Sequence, residues 1–177
     1  HQTTIAMKKI FLLIFVVAMY GCSETKPSEK HLALENAQKQ LAENLKLYSS
    51  VWDKVINERQ IDQINETNFD SQVTLLLKPE NIVGVEGVKG FYNNYLSGFS
   101  DAKFKIIDVF GQGDKIVKHW NFKGTHDGEF FGIPASGRPV DISGTTLVKM
   151  KEGKIVQEQD FLDNLDFYQQ LGLMPTE

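Results

Sequence analysis

The order of apolar patterns along the chain predicts an α+β fold: a cone-shaped, curved antiparallel sheet with N-terminal helices packed on one face. Two observations carry this. Apolar residues recur at helical spacing in the segments before Phe99, whereas alternating runs joined by tight Gly-containing turns take over from Lys103 onward. Helices therefore precede strands instead of alternating with them, which separates this pattern from parallel α/β folds. No segment repeats.

Each element has its own signal. From Leu32 to Asn57, Leu41, Leu45, Tyr48, Trp52 and Val55 form one apolar stripe with polar residues opposite, which predicts an amphipathic helix. A short second helix is expected over Arg59 to Asn65, with Ile61 and Ile64 inward. Phe69 to Leu77 reads as a strand and Lys78 to Val85 as a loop. Val88, Phe91, Tyr92, Tyr95, Leu96 and Phe99 share one face of a further helix, whose end is marked by Gly98. Lys103 to Phe110 and Lys115 to Gly124 read as strands flanking the turn Gly111-Gln112-Gly113-Asp114, and Ile116, Trp120 and Phe122 share parity. Pro139 to Met150 and Lys154 to Asp160 follow as strands around the turn Lys151 to Gly153. An amphipathic segment, Phe161 to Leu171, closes the pattern before Gly172 and Pro175.

Composition narrows the function classes. The chain has 177 residues, and the part beyond its N-terminal segment, about 145 residues, suits one domain with one core. A net charge of −4 without any basic block argues against nucleic-acid binding, which needs a clustered cationic footprint. Cys22 is the sole cysteine, so no internal disulfide forms, and four histidines without a cysteine partner argue against a zinc site. The sole Gly-X-Gly, Gly111 to Gly113, is not followed by a helix, so no phosphate loop is present and no cofactor is expected.

The N-terminal segment reads as an address. Met7-Lys8-Lys9 precedes an apolar run from Ile10 to Tyr20, too short for the roughly 20 residues a membrane span needs. Gly21-Cys22 follows at once and resembles the lipobox of bacterial lipoproteins, which implies lipidation at Cys22. Met19 and Tyr20 stand where Leu and a small residue are commoner, so a plain secretory signal or an uncleaved anchor is the alternative. Residues 1–22 are thus taken as upstream residues plus signal peptide, residues 23–30 as a polar tether, and residues 31–177 as the domain. The expected location is the cell envelope, lipid-anchored and periplasmic or surface-facing, with secretion as the alternative.

Chemistry-bearing residues gather at the ends of the late strands. Strand parity puts Val156, Glu158 and Asp160 on one face; if that face is desolvated, one carboxylate has a raised pKa. Asp160 also reads as an N-cap for the last helix, although Asp163 is the better cap candidate. His126 shares parity with Trp120 and Phe122; it reads equally as a pocket residue or as a turn-stabilising histidine. His119 has the opposite parity and is taken as exterior. Tyr48 and Trp52 read as core residues with a polar tip.

The order of words along the chain resembles the SnoaL-like polyketide cyclase (ester cyclase-like) family, of the nuclear transport factor 2-like superfamily. The residues that carry the likeness in the helical half are Tyr48, Val51-Trp52 and Glu86-Gly87. In the sheet half they are Gly113-Asp114, Gly124-Thr125-His126, Gly128-Glu129-Phe130, Gly132-Ile133-Pro134, Gly137-Arg138, Glu152-Gly153-Lys154-Ile155, Asp160 and Gln170-Leu171-Gly172. The resemblance covers Leu41 to Pro175 and implies a cup around an apolar pocket. It implies that Asp160 is a general acid/base for intramolecular aldol ring closure, with His126 a second catalytic residue. Tyr48, Trp52, Gln72, Trp120 and Glu158 are then substrate-binding. Two positions depart from the family pattern: Gln72 stands where a His is frequent and Gln159 where a Trp is frequent, and Gln72 cannot take up a proton as imidazole can.

Three function classes follow. The first is a cofactor-independent cyclase or isomerase acting on a small carbonyl compound. The second is a non-catalytic module that binds a small apolar ligand at the envelope. The third is a dimerisation domain, because folds of this kind often form homodimers through the open sheet face.

Overall fold

The computed structural model describes residues 28–175; Cys22, the signal and most of the expected tether lie outside the described residues. Helix α1 (Glu29–Ile56) carries the first stripe, and its buried face runs from Asn44 through Tyr48, Val51, Trp52 and Val55 to Ile56. A single 3-10 turn (Ile61–Gln63) replaces the expected short helix and still buries Ile64. Strand β1 (Phe69–Leu75) follows. Inside the expected loop the chain makes a two-residue strand, β2 (Ile82–Val83), antiparallel to β1. Helix α2 (Val85–Gly98) buries Val88, Tyr92 and Leu96.

The second half forms two long hairpins: β3 (Lys103–Gln112) with β4 (Lys115–Thr125), and β5 (Pro139–Lys151) with β6 (Lys154–Leu162). The β5–β6 turn places Glu152 and Gly153 at positive φ, 51° and 74°. Helix α3 (Asn164–Leu171) starts three residues later than expected, and Asp163 caps it, its side chain accepting from Asp166 N at 3.0 Å.

The six strands form one sheet in the order β2-β1-β6-β5-β4-β3. The sheet is mixed rather than wholly antiparallel, because β1 runs parallel to β6. Hairpin neighbours must alternate in direction, but no hairpin joins these two strands, so nothing imposes opposition on them. A register shift between Lys149 and Met150 marks a bulge in β6. The bulge lets Ile155 and Glu158 both point inward, three residues apart. Val156 consequently leaves the face that simple alternation assigns it, while Glu158, Asp160 and Leu162 keep a common side. The core lies between this inner face and the helices: Tyr48, Trp52, Phe69, Phe99, Ile116, Met150 and Ile155 are at most 2% exposed.

Candidate ligand cavity and its carboxyl groups

Strand register assembles the site before any side chain is considered. Lys118 pairs with Thr146 across β4 and β5, and Thr146 pairs with Asp160 across β5 and β6. One row on the inner face thus carries an amine, a hydroxyl and a carboxyl. The adjacent row carries Ile116, Val148 and Glu158. Next along β4 stands Trp120, opposite Gly144. A Cβ at Gly144 would come within 2.4 Å of the Trp120 ring, so the absence of a side chain there lets the indole lie flat on the sheet.

A cavity opens against these rows. Its walls are Trp52 and Ile56 from α1, Tyr92 and Tyr95 from α2, Phe104 from β3, Lys118, Trp120 and Phe122 from β4, Ile142 from β5, and Asp160 and Leu162 from β6. The space is slender, with a cavity volume of about 50 Å³. The wall is aromatic and aliphatic apart from Lys118, Asp160 and the phenol hydroxyls.

Asp160 is half-buried and both its oxygens are held. Tyr92 Oη donates to Oδ2 at 3.1 Å, and Thr146 Oγ1 donates to Oδ1. Thr146 in turn accepts from Trp120 Nε1 at 3.0 Å, which commits its single proton to Asp160. Strand β6 continues through Asp160 to Leu162, so the residue is no helix cap.

Glu158 lies deeper, 1% exposed. Its Oε1 accepts from Tyr48 Oη at 2.5 Å and from Trp52 Nε1 at 3.1 Å, while Oε2 is buried without a partner. Burial pushes the Glu158 carboxyl up to about 7; Lys118 opposes the shift and Asp160 adds to it. Of the two carboxyls, the inner one therefore answers the expectation of a raised pKa. Burial also raises the phenols of Tyr48 and Tyr92, helped by Glu158 for the first and Asp160 for the second. Tyr95 is raised by burial as well.

Lys118 is 3% exposed. Its ammonium lies 4.5 Å from the Trp52 ring centroid, 5.0 Å from that of Tyr48 and 5.1 Å from that of Phe104. Burial lowers its pKa, with Glu158 and Asp160 opposing.

The residues expected from sequence divide. Trp52, Trp120 and Asp160 line the cavity, and Tyr48 and Glu158 stand directly behind it. Gln72 does not join them: it is exposed, and its amide reaches only the Ser71 carbonyl at 3.4 Å. Gln72 has the opposite parity to the buried Phe69, Val73 and Leu75, so the strand turns it outward. His126 is fully buried away from the cavity wall. Its Nδ1 accepts from Ser136 N at 3.3 Å and pairs with Ser136 Oγ at 3.0 Å, so the ring proton belongs on Nε2. The ring packs against Phe99 and Phe130, and its backbone bonds Arg138 and Gly137 across the Gly/Pro loop. Lys118, Thr146 and Tyr92 escaped the sequence reading. The signal for Lys118 was present, since it shares parity with Ile116, Trp120 and Phe122 in the middle of an inward row.

The family model for SnoaL-like polyketide cyclase matches residues 45–171. Among solved structures, TsrD from Streptomyces laurentii is similar with a TM-score of 0.67 and 25% identity, over 75% of this chain and 97% of that one. A SnoaL-like polyketide cyclase from Jannaschia is similar with a TM-score of 0.66 and 20% identity, over 76% and 94%. TerC, co-crystallised with polyporic acid, has a TM-score of 0.59 at 14% identity, over 73% and 98%. Among curated proteins no relative is found.

Proposed function

The chain belongs to the SnoaL-like polyketide cyclase family, and on that premise we propose that it closes or isomerises a small carbonyl compound, with Asp160 as general acid/base. The observation that carries the reading is the Asp160 carboxylate on a largely aromatic and aliphatic cavity wall, its two oxygens oriented by Tyr92 and Thr146. Asp160 removes a proton from a carbon next to a carbonyl. The resulting enolate carbon attacks a second carbonyl of the same molecule, forming the ring bond. Asp160 then returns the proton to the new alkoxide, so no atom is gained or lost. Aromatic walls hold the substrate flat and exclude water, which strengthens the charge interactions inside. His126 enters at one remove: buried in the Gly/Pro loop, it bears on the cavity through Phe130 and the loop it holds together.

The test is deuterium uptake from heavy water into a panel of enolisable carbonyl compounds, followed by mass spectrometry. Wild type is expected to exchange at least one of them. Asp160→Asn is expected to lose exchange by about 10²- to 10⁴-fold, the range for removing a positioned base, while still binding the same compound. Exchange at the wild-type rate by the Asn variant overturns the assignment.

A second reading is a binding module without turnover. It is favoured by the two donors already engaged on Asp160, which occupy both of its oxygens. Retention of a compound by both proteins with exchange in neither would establish it, and polyporic acid belongs in the panel for that purpose. We further propose that the protein is tethered to the envelope through a lipid on Cys22 and that it pairs as a homodimer through the outer face of the sheet.

A further inference from the structure

Lys118 is a cation without an anion. Among the described residues no carboxylate makes an ion pair with it, and its ammonium donates no hydrogen bond to protein. Taking an ammonium out of water is costly unless it is paired, and contacts with aromatic faces offset only part of that cost. The acids that face it are already committed. Asp160 is held by Thr146 and Tyr92, and Thr146 stands between Asp160 and Lys118 in the row. Glu158 is engaged by Tyr48 and Trp52, and burial favours its protonated form. The phenols of Tyr48 and Tyr92 remain neutral there. The ammonium nevertheless stands on the cavity wall, with the rings of Trp52 and Phe104 beside it.

We propose that Lys118 is the ligand-binding cation of this cavity, and that the cavity selects flat, conjugated molecules whose oxygen carries a negative charge, an enolate or a phenolate. The aromatic walls accept the flat face, and the ammonium takes the anionic oxygen. This rests on the acid/base reading and deepens it, because the enolate that Asp160 would generate has its charge-stabilising partner in the same row, two strands away. An apolar cavity with only a carboxylate would disfavour such an anion, and Lys118 reverses that preference.

The experiment compares two probes in calorimetry: a cyclic β-diketone, which ionises readily to its enolate, and its gem-dimethyl derivative, which cannot enolise between its carbonyls. Wild type is expected to bind the first more tightly by about tenfold or more, as one charge-assisted hydrogen bond provides, and to raise the ionised fraction seen in its ultraviolet absorption. Lys118→Met keeps the packing of the stem and is expected to abolish the preference while leaving the gem-dimethyl probe bound within about twofold, since that probe has no anionic oxygen to lose. Lys118→Gln, which retains a polar tip, takes the place of Met if the Met variant does not fold. Equal binding of both probes by wild type, or an undiminished preference in the uncharged variant, overturns the proposal. Binding alone is read, so this result and the Asp160-dependent exchange can fail separately.

Discussion

Glu158 makes protein stability depend on pH in a direction opposite to that of most carboxylates. Its folded pKa of about 7 lies above its ordinary 4.5. Between those values the folded chain holds a proton that the unfolded chain releases, so stability is full below about 4.5, falls as pH rises toward 7, and levels off above. The difference corresponds to about 3 kcal/mol. The surface acids Asp101, Asp127 and Asp141 are shifted the other way, by hydrogen bonds from Thr125, from Ser100 and from Lys123 respectively. What they contribute is lost only as pH falls through their lowered pKa values, outside this window. Glu158→Gln keeps an acceptor for Tyr48 and Trp52 and cannot ionise. Its melting temperature is therefore expected to stay nearly level from pH 5 to pH 8 while that of wild type declines; parallel profiles would mean that Glu158 is not the titrating group. The carboxyl pair was legible in the sequence because two acids at alternate positions of one strand are conspicuous. Lys118 carried the right parity, but a lysine in a strand ordinarily faces water, and parity alone does not show that its ammonium is buried. Tyr92 and Thr146 read as core and strand residues until register brings them against Asp160.

Among the elements, both long helices and all four long strands could be read from periodicity, and the Asp163 cap from residue type. What could not be read is whatever depends on partners distant in sequence. The parallel β1–β6 pairing and the β6 bulge that turns Val156 off the inner face both arise from register between strands. Register also exposes an apolar group on the outer face. Phe110, Val117 and Leu147 align across β3, β4 and β5, with Phe161 on β6 nearby. Phe110 is 54% exposed, Leu147 45% and Phe161 51%. A sheet face of this kind is a candidate for pairing with a second copy. Leu147→Glu places a charge in the middle of the row without touching the core. The wild-type domain is expected to run as a dimer in light scattering and the Glu variant as a monomer. The monomer's own stability should change by no more than about 0.5 kcal/mol, as for ordinary surface substitutions. A wild-type monomer at high concentration would remove the pairing proposal.

For the whole molecule, fold and chemistry were legible to different degrees, and the reason is physical. A fold is carried by many weak, redundant signals spread from Leu41 to Pro175, and the matching family span of residues 45–171 draws on the same spread. A reaction depends on a few groups whose protonation is set by burial, and burial is a property of the assembled chain. The location of the protein is different again, since it depends on a short local signal that no fold is needed to read. Lys8-Lys9, the apolar run after it and Cys22 behind Gly21 place the only thiol where lipidation would need it. If that signal is used, expressing the full chain in a bacterium fed a fatty-acid probe should label it and send it to the membrane fraction. Cys22→Ser should abolish the label without altering the domain, because Cys22 lies ahead of the segment that carries the family match. Wild-type protein that reaches the envelope unlabelled would instead establish a plain secretory signal. A cavity that accepts carbonyl compounds would then act on them free in solution rather than at the membrane surface.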